Sequence, residues 1–255
     1  MARALAAQCY VLRPMHPAVA SWLRFRDHLT DDLFGGPRLL EASWVINLQK
    51  GGTLPFVLAL MWTYDCWTPT AFTYAALHGS YGLAWLLKDR VFPDPNWAKR
   101  VTFGGALMMW AGGLALYWVA PVLVVTRRVE QPPSVLATAT LVYVLGLVTM
   151  MGSDGQKYFT LKVKRGLITD GFFSRVRHPN YLGEMLLYGS FAALAGHWAP
   201  WAILAWIWLG VFVPNMLRKE ASMSRHPEWA AYVARTGFLL PRVLRPGTGP
   251  ASARA

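Results

Sequence analysis

The stretch RVRHPNYLGEMLLYGSFAALAG, residues 175–196, joins a charged segment directly to an apolar one. Its first ten residues include two arginines, a histidine, an asparagine and a glutamate, whereas the following twelve carry no formal charge. Pro179 and Asn180 suit the start of a helix, because proline lacks the N–H that a first turn leaves unpaired and asparagine can cap. We therefore predict a helix with a charged N-terminal end and an apolar body.

Apolar segments of this kind recur along the chain. It has 255 residues, of which 55% are hydrophobic and thirteen are tryptophan, more than a soluble core requires. Since a membrane crossing takes roughly twenty largely apolar residues, we interpret the protein as an all-α, polytopic integral membrane helical bundle of six to seven transmembrane helices. The seventh would fall within residues 5–24. The six other predicted spans are 43–64, 69–87, 102–123, 134–152, 181–197 and 199–217.

The formal net charge of +12 is distributed unevenly. If the six spans alternate in direction, 23 of the 25 Lys and Arg residues lie on one side, and only Arg127 and Arg128 lie on the other. Basic residues mark the cytoplasmic side of a membrane protein, so we expect both termini in the cytoplasm, and insertion in the inner membrane if the source is bacterial. The charge then reflects topology, which predicts membrane lipid and not nucleic acid as a partner.

The chain shows no sign of a separate soluble domain. We predict one membrane domain over residues 1–255, acting as a monomer, with a substrate-binding half at 43–150 and a cofactor-binding half at 151–242. The tail at 243–255 is predicted to be disordered. The N-terminus lacks the sustained apolar core of a cleavable signal peptide. With only two cysteines in the sequence, we expect neither a disulfide framework nor a metal centre.

Charged residues around the start of the 181–197 span form a candidate anion site. Helix N-termini attract anions, and clustered basic side chains favour a polyphosphate or a carboxylate. Glu184, one turn inside the span, would instead suit an amide, a ribose hydroxyl or a cation. In the alternative interpretation, the cations reach lipid headgroups. The basic candidates are Arg175, Arg177 and His178, and on the preceding predicted loop Lys157, Lys162, Lys164 and Arg165.

Polar side chains also interrupt the first two predicted spans. Ionisable groups at membrane depth are costly and are therefore candidates for a site. They lie in the window WVINLQKGGTLPF, residues 44–56, and in the span that follows. The candidate catalytic residues are Asn47, Gln49, Lys50, His78 and Tyr81, and the candidate substrate-binding residues are Trp44 and Trp85.

Three of these candidates are spaced to share one helical face. His78 and Tyr81 are three residues apart, and Trp85 follows Tyr81 by four. One face of the second span would therefore meet a substrate. Alternatively, His78 and Tyr81 bond to a neighbouring helix and Trp85 belongs to the interfacial aromatic belt.

Two motifs in the C-terminal half resemble a known superfamily. The segment GFFSRVRHPNYLGE (171–184), two closely spaced spans and the segment NMLRKEASMSRHPEWAAYVARTGFLLP (215–241) are similar to the region shared by membrane steroid 5-alpha-reductases, sterol reductases, isoprenylcysteine carboxyl methyltransferases and phospholipid methyltransferases. The resemblance covers roughly residues 150–242. It implies a cofactor site, for NADPH in the reductases and for S-adenosylmethionine in the methyltransferases. The residues it places there are Arg177, Asn180, Tyr181, Glu184, Arg218, Glu220 and Tyr232.

Two further features resemble the reductases. Asp154, in GSDGQKYFTLKVKRG, stands where these enzymes have an aspartate ahead of the cofactor motif, before a basic run that would suit the phosphates of NADPH. The long N-terminal region, with ALHGSYGLAWLLKDRVFP at residues 76–93, is similar to the part that carries a substrate-binding tyrosine. The resemblance thus implies NADPH-dependent reduction of the 4,5 double bond of a 3-oxo-4-ene steroid or a similar enone lipid.

The reaction requires hydride at the β carbon and an acid near the ketone oxygen. In the reductases a glutamate and a tyrosine hold the ketone. Tyr81 or His78 would fill the tyrosine's role here, but the window around Lys50 has no glutamate, which suggests that Gln49 or Lys50 polarises the ketone. The alternatives are a methyltransferase acting on isoprenylcysteine or a phospholipid amine, and a lipid-binding or scaffolding protein.

Overall fold

The computed structural model describes residues 15–242. The protein is mostly helical, and this part of the prediction is confirmed. One two-stranded antiparallel ladder, β1 (Leu40–Glu41) with β2 (Arg100–Val101), is the exception among the described residues. The helices are α1 (Pro17–Asp31), α2 (Ala42–Thr63), α3 (Pro69–Val91), α4 (Phe103–Met109), α5 (Val119–Thr126), α6 (Pro133–Val163), α7 (Pro179–Ala195), α8 (Trp198–Ile207), α9 (Val213–Met223) and α10 (Trp229–Arg235).

Each of the six predicted spans coincides with a helical segment. Three of these segments, Phe103–Thr126, Pro133–Val163 and Trp198–Met223, are long and apolar enough to cross a membrane. The other three are more polar or shorter, α7 having 17 residues, and their crossings stay predictions. Of the proposed seventh span, residues 5–14 lie outside the described residues, and the remainder falls on α1, which carries charged side chains. The predicted tail at 243–255 also lies outside them.

The predicted loop before the cofactor motif is wrong over its first part. α6 continues to Val163, so Asp154, Lys157 and Lys162 lie on a helix and Lys164 is its C-cap. The polar residues after position 152 mark the end of the apolar stretch, but no proline stops the helix there. As a result, the side chains of Asp154, Lys157 and Lys162 extend from a regular helix and not from a loop.

A π-helical turn (Trp208–Phe212) separates α8 from α9. Pro214, early in α9, has no N–H to offer the carbonyl of Gly210, four residues before it. The indole Nε1 of Trp22 on α1 donates to that carbonyl instead, at 2.6 Å. A second π turn (Trp110–Leu114) and a 3-10 turn (Ala115–Trp118) connect α4 to α5. The hydrogen bond from Trp22 to Gly210 therefore replaces the one that Pro214 cannot make, and it attaches α1 to the start of α9.

Glycines allow the helices to approach closely where the site is built. A Cβ on Gly146 of α6 would lie 2.7 Å from the carbonyl oxygen of Gly183 on α7. A Cβ on Gly82 of α3 would overlap the carbonyl oxygen of Lys50 on α2. Larger residues would push these helix pairs apart. The close contacts bring α2, α3, α6 and α7 together around the polar side chains.

The core of the bundle is aromatic. Tyr74, Tyr81, Tyr188 and Phe191 are almost fully buried and contact one another across α3 and α7. The outer faces expose large apolar side chains, which water would not favour but which suit lipid. Examples are Trp44, Leu48, Trp62, Leu83 and Leu145.

Candidate functional site

The first group of polar residues surrounds Lys50, in the middle of α2. The side chain of Lys50 is only 4% exposed, and its ammonium donates a hydrogen bond to the hydroxyl of Tyr188 on α7. The Nζ atom lies 4.6 Å from the ring centre of Tyr81, 5.2 Å from Trp85 and 5.3 Å from Tyr117. Within residues 15–242 no carboxylate forms an ion pair with it. We call Lys50, His78, Tyr81, Trp85, Tyr117 and Tyr188 the Lys50 cluster.

Several buried polar atoms of this region lack a partner among the described residues. They include Oε1 of Gln49, Nε2 of His78 and the hydroxyl of Tyr81. His78 uses its other nitrogen, Nδ1, in a hydrogen bond of 2.9 Å with the hydroxyl of Tyr74, and its ring stacks on Phe191 at 4.2 Å. Unmatched buried polar atoms are rare and call for an explanation. Here they belong to three of the five candidate catalytic residues.

The two other candidates on α2 have different surroundings. Asn47 donates to Asp89 at 2.7 Å and accepts from the indole of Trp85 at 3.1 Å, so its amide is engaged in joining α2 to α3. Trp44 is 60% exposed on the outer face of α2. The structure therefore brings Trp85 into the Lys50 cluster but leaves Trp44 outside it, since the helical period places position 44 away from Lys50.

A second group of charges lies between α3, α6, α7 and α9. Lys88 forms an ion pair of 2.6 Å with Asp154, and both side chains are largely buried. Glu184 interacts electrostatically with Lys50, Lys88, Asp154 and Lys219. We call Lys88, Asp94, Asp154, Lys157, Glu184 and Lys219 the acid–lysine cluster. Glu184 links it to the Lys50 cluster, because its charge reaches both Lys50 and Lys88.

Asp94 and Lys157 form the outer end of the acid–lysine cluster. Their charged atoms are 3.5 Å apart, and Asp94 also accepts hydrogen bonds from the backbone and side chain of Asn96. Burial acts to raise the pKa of Asp94, but Lys157 and the Asn96 hydrogen bonds outweigh it, so the pKa lies below its usual value. Asp94 is therefore ionised at neutral pH.

The start of α7 presents the predicted cofactor residues on one side. Asn180 and Glu184 are four residues apart, and neither side chain has a hydrogen-bond partner within residues 15–242. Between them Tyr181 is buried, with the ammonium of Lys219 4.5 Å from its ring centre. A free amide and a free carboxylate at a helix N-terminus can bind hydroxyl or amide groups of a ligand.

Arg177 and His178 hold the C-terminal segment to the bundle. Arg177 donates to Glu220 at 2.7 Å and to the carbonyl of Thr236 at 2.9 Å. His178 contacts the same oxygen of Glu220 at 3.0 Å, and its burial lowers its pKa although Glu220 opposes the shift. Residues 176 and 237 also form a parallel β bridge. These predicted cofactor residues thus have protein partners, which we call the Glu220 clamp.

The remaining candidates fall into two sets. Tyr232 donates to the carbonyl of Phe173 at 2.8 Å, and burial raises its pKa to about 12; Arg218 pairs with Asp27 of α1 at 3.0 Å. The structure therefore ties both to neighbouring segments. By contrast, four basic residues near the end of α6 and before α7 are exposed and available to a phosphate or a headgroup. These are Lys162, Lys164, Arg165 and Arg175.

Sequence reasoning missed Tyr117, Tyr188, Lys88 and Lys219. The signal for Tyr188 was its position, one turn after Glu184 on the same face. Lys88 was visible as a charge at the end of an apolar span. Nothing in the sequence indicated Tyr117, because its contact depends on the irregular turns between α4 and α5.

Comparison with known proteins gives a family but no activity. Residues 96–236, more than half of the chain, match the family described as "Protein of unknown function (DUF1295)", and the chain belongs to this family. It is 34% identical over 93 residues to an uncharacterized protein of Schizosaccharomyces pombe. That match covers 34% of this chain and 27% of the relative, so the chain spans about a quarter of the relative's length. No solved structure matches the chain.

Proposed function

We propose that this protein is an integral membrane, NADPH-dependent reductase of the 4,5 double bond of a 3-oxo-4-ene steroid or a similar enone lipid. The observation that carries the proposal is the buried Lys50 cluster. It holds an ammonium and phenol groups away from water, and its Tyr188 lies one turn below Glu184 on α7. One phenol of the cluster and the cofactor motif that the resemblance implies thus occupy consecutive turns of α7.

The residues at the cytoplasmic end of α7 fit a dinucleotide. Asn180 and Glu184 offer an amide and a carboxylate that form no hydrogen bond among the described residues, which suits a carboxamide or ribose hydroxyls. The exposed Lys162, Lys164 and Arg175 suit phosphate groups. The Glu220 clamp would act on a cofactor indirectly, by positioning the chain that leads into α7.

NADPH, when bound, supplies a hydride to the substrate. The role of the chain is then to stabilise the negative charge that develops on the ketone oxygen, for which Lys50, Tyr81 and His78 have unsatisfied or ionised donors. Donors in a site that excludes water are worth more than in solution, and each contributes roughly a hundredfold or more in rate. Methyl transfer from S-adenosylmethionine places no such charge on the acceptor, so a buried donor cluster supports the reductase.

An apolar substrate suits the membrane setting. An open groove of about 600 Å³ lies between α6, α7 and α8 and is bounded by Ala139, Gly189, Trp201 and Trp208. This volume is within the range of small-molecule sites, and the groove is open rather than enclosed. It lies beside α7, on a different face from Tyr188.

The proposed topology has six crossings, with both termini and the residues 164–178 in the cytoplasm and the acid–lysine cluster at the cytoplasmic end of the bundle. The distribution of 23 of the 25 basic residues supports it. We also propose that the protein acts as a monomer.

The test is a cofactor and turnover assay on the detergent-purified protein. We expect NADPH to bind and to be oxidised when a 3-oxo-4-ene steroid such as progesterone is added, with the saturated ketone as product. S-adenosylmethionine should not bind. Methyl transfer from S-adenosylmethionine to an isoprenylcysteine or a phospholipid, without enone reduction, would replace the proposal with the methyltransferase.

A further inference from the structure

The acid–lysine cluster leaves one carboxylate and one ammonium without a direct partner. Two of its three acids and two of its three lysines form the ion pairs described above. The remaining members are Glu184 on α7 and Lys219 on α9. Within residues 15–242 neither of them forms an ion pair or a hydrogen bond. The cluster therefore contains two opposite charges that its other pairs do not use.

Glu184 and Lys219 lie near the same aromatic ring. The ammonium of Lys219 is 4.5 Å from the ring centre of Tyr181. Glu184 follows Tyr181 by three residues and therefore lies on the same face of α7. The two charges interact electrostatically across the contact between α7 and α9, although they do not touch. A ligand group placed between them would contact both.

These two charged groups reach the surface of the protein. Both side chains are half-buried, and neither charged group is among the enclosed polar atoms that lack a partner in the described part of the chain. Lys50, by contrast, is only 4% exposed and is surrounded by aromatic rings. A ligand can therefore contact Glu184 and Lys219 without entering the core of the bundle.

The charges around Lys219 select the kind of ligand group. Lys219 interacts with Asp154 and Asp94 as well as with Glu184, so a phosphate placed on its ammonium would be repelled by three carboxylates. A neutral group that offers a donor and an acceptor side by side avoids this repulsion. A primary amide is such a group, because its nitrogen donates and its oxygen accepts. Hydrogen bonds to charged partners are also the stronger ones.

We propose that Glu184 and Lys219 together bind the carboxamide of the nicotinamide ring of NADPH. The proposal rests on the reductase function proposed above and adds Lys219 to the cofactor site. The amide nitrogen donates to the carboxylate of Glu184, and the amide oxygen accepts from the ammonium of Lys219. Two attachment points hold the ring in one orientation, so that one of its faces is presented to the substrate.

The neutral and the anionic parts of NADPH then meet different surroundings. The nicotinamide lies between α7 and α9, and the phosphates lie toward the exposed basic residues at the end of α6 and before α7. The competing occupant is the α-amino acid group of S-adenosylmethionine, whose ammonium and carboxylate would also fit the two charges. S-adenosylmethionine has no phosphate, however, and leaves those basic residues without a ligand. The basic residues are Lys162, Lys164, Arg165 and Arg175.

The experiment combines two variants with three ligands, by titration of the detergent-purified protein. The variants are Glu184→Gln and Lys219→Met. The matched control is Lys99→Met, which removes a half-buried lysine that pairs with Asp31 outside the cluster. The ligands are NADPH, the analogue in which an acetyl group replaces the carboxamide, and 2′-phospho-ADP-ribose, which lacks the nicotinamide ring. Melting temperatures show whether each variant is folded.

The acetyl analogue keeps the carbonyl oxygen and loses the N–H group, so the two contacts can be separated. We expect the parent to bind it about tenfold more weakly than NADPH, the loss of roughly one hydrogen bond. Glu184→Gln should lower NADPH affinity about tenfold and affinity for the analogue much less, because the two changes remove the same contact. Lys219→Met should lower both affinities about tenfold. Neither variant should change the affinity for 2′-phospho-ADP-ribose relative to Lys99→Met.

Lys219→Arg is the second variant at this position, for the case in which Lys219→Met does not fold. It keeps the positive charge and the donors, and we expect its NADPH affinity to lie closer to that of the parent than to that of a variant without the charge. The preference of the parent for NADPH over the acetyl analogue requires no variant and tests the contact of Glu184 independently of folding.

Each outcome decides the proposal. An equal loss of NADPH and 2′-phospho-ADP-ribose in Lys219→Met assigns Lys219 to the overall charge of the site and overturns its contact with the carboxamide. Equal losses of NADPH and the acetyl analogue in Glu184→Gln overturn the contact of Glu184. Both results leave the reductase function standing if the parent binds NADPH and reduces the enone. A parent that binds S-adenosylmethionine and no NADPH overturns the proposed function, and the carboxamide site with it.

Discussion

Lys88 on α3 and Asp154 on α6 form a largely buried ion pair, with Nζ 2.6 Å from Oδ2. The ammonium of Lys88 also lies 4.5 Å from the ring centre of Trp85. Asp154 was predicted to contact the cofactor, and in this structure its carboxylate joins two helices of the site.

We expect Asp154→Asn to destabilise the protein by about 3 kcal/mol, because removing one partner of a buried pair leaves the other charge uncompensated. The double variant Lys88→Met, Asp154→Leu should recover most of this loss. Chemical denaturation in detergent measures both. If Asp154→Asn unfolds like the parent and loses only NADPH affinity, Asp154 acts on the cofactor and not on the helix pair.

Asn180→Ala and Glu184→Gln should each weaken NADPH binding about tenfold while the protein stays folded, because neither side chain makes a hydrogen bond among the described residues. The loss corresponds to roughly one hydrogen bond to the ligand. Titration of the purified variants with NADPH measures the effect. Glu130→Gln, an exposed change between α5 and α6, is the control. Parental affinity in both variants would contradict the site.

The Glu220 clamp should make the protein less stable in mild acid. The folded-state pKa of His178 lies below its unfolded value of about 6.5, so the unfolded chain takes up this proton first. Its stabilisation is complete above that pH and is lost as pH falls from about 6.5 through the folded-state pKa. Denaturation curves between neutral and mildly acidic pH should show a loss of stability over this range.

The control for the clamp is His178→Gln, which can still donate to Glu220 but does not titrate. Its stability should vary less with pH over the same range. An equal loss in this variant and in the parent would assign the acid sensitivity to other groups.

Lys162→Gln, Lys164→Gln and Arg175→Gln test the exposed cations. If these residues contact phosphate, each change should weaken NADPH binding and reduce its dependence on salt, since salt screens such charges. Binding titrations at two salt concentrations measure both effects. Contact with lipid headgroups predicts that neither quantity changes.

Topology can be tested by cysteine labelling in intact cells, with the two native cysteines replaced. Asp170→Cys should be protected from a membrane-impermeant reagent, because the loop before α7 is expected in the cytoplasm. Glu130→Cys, between α5 and α6, should react and serves as the positive control. Labelling of Asp170→Cys from outside would reverse the proposed orientation. Arg245→Cys extends the test to the C-terminal tail.

The helices could be located from the sequence because apolar stretches of membrane length are a local property. All six predicted windows fall on helical segments, and the polar start of α7 follows from Pro179. The end of α6 was placed too early, because the apolar stretch ends near residue 152 whereas the helix continues to Val163. The hydropathy of a segment depends on whether its surroundings are apolar, whereas the length of a helix depends on how far its backbone hydrogen bonds continue.

Side-chain partners depended on the packing of distant segments. The grouping of His78, Tyr81 and Trp85 followed from helical spacing, but the contact of Lys50 with Tyr188 joins residues 138 positions apart. Arg177 resembles a cofactor ligand in sequence, yet its guanidinium meets Glu220 because α9 and the segment after α10 fold back on the start of α7. The helical period shows on which face of its own helix a residue lies. Which neighbouring helix packs against that face depends on the close approach of the helices at Gly82, Gly146 and Gly183.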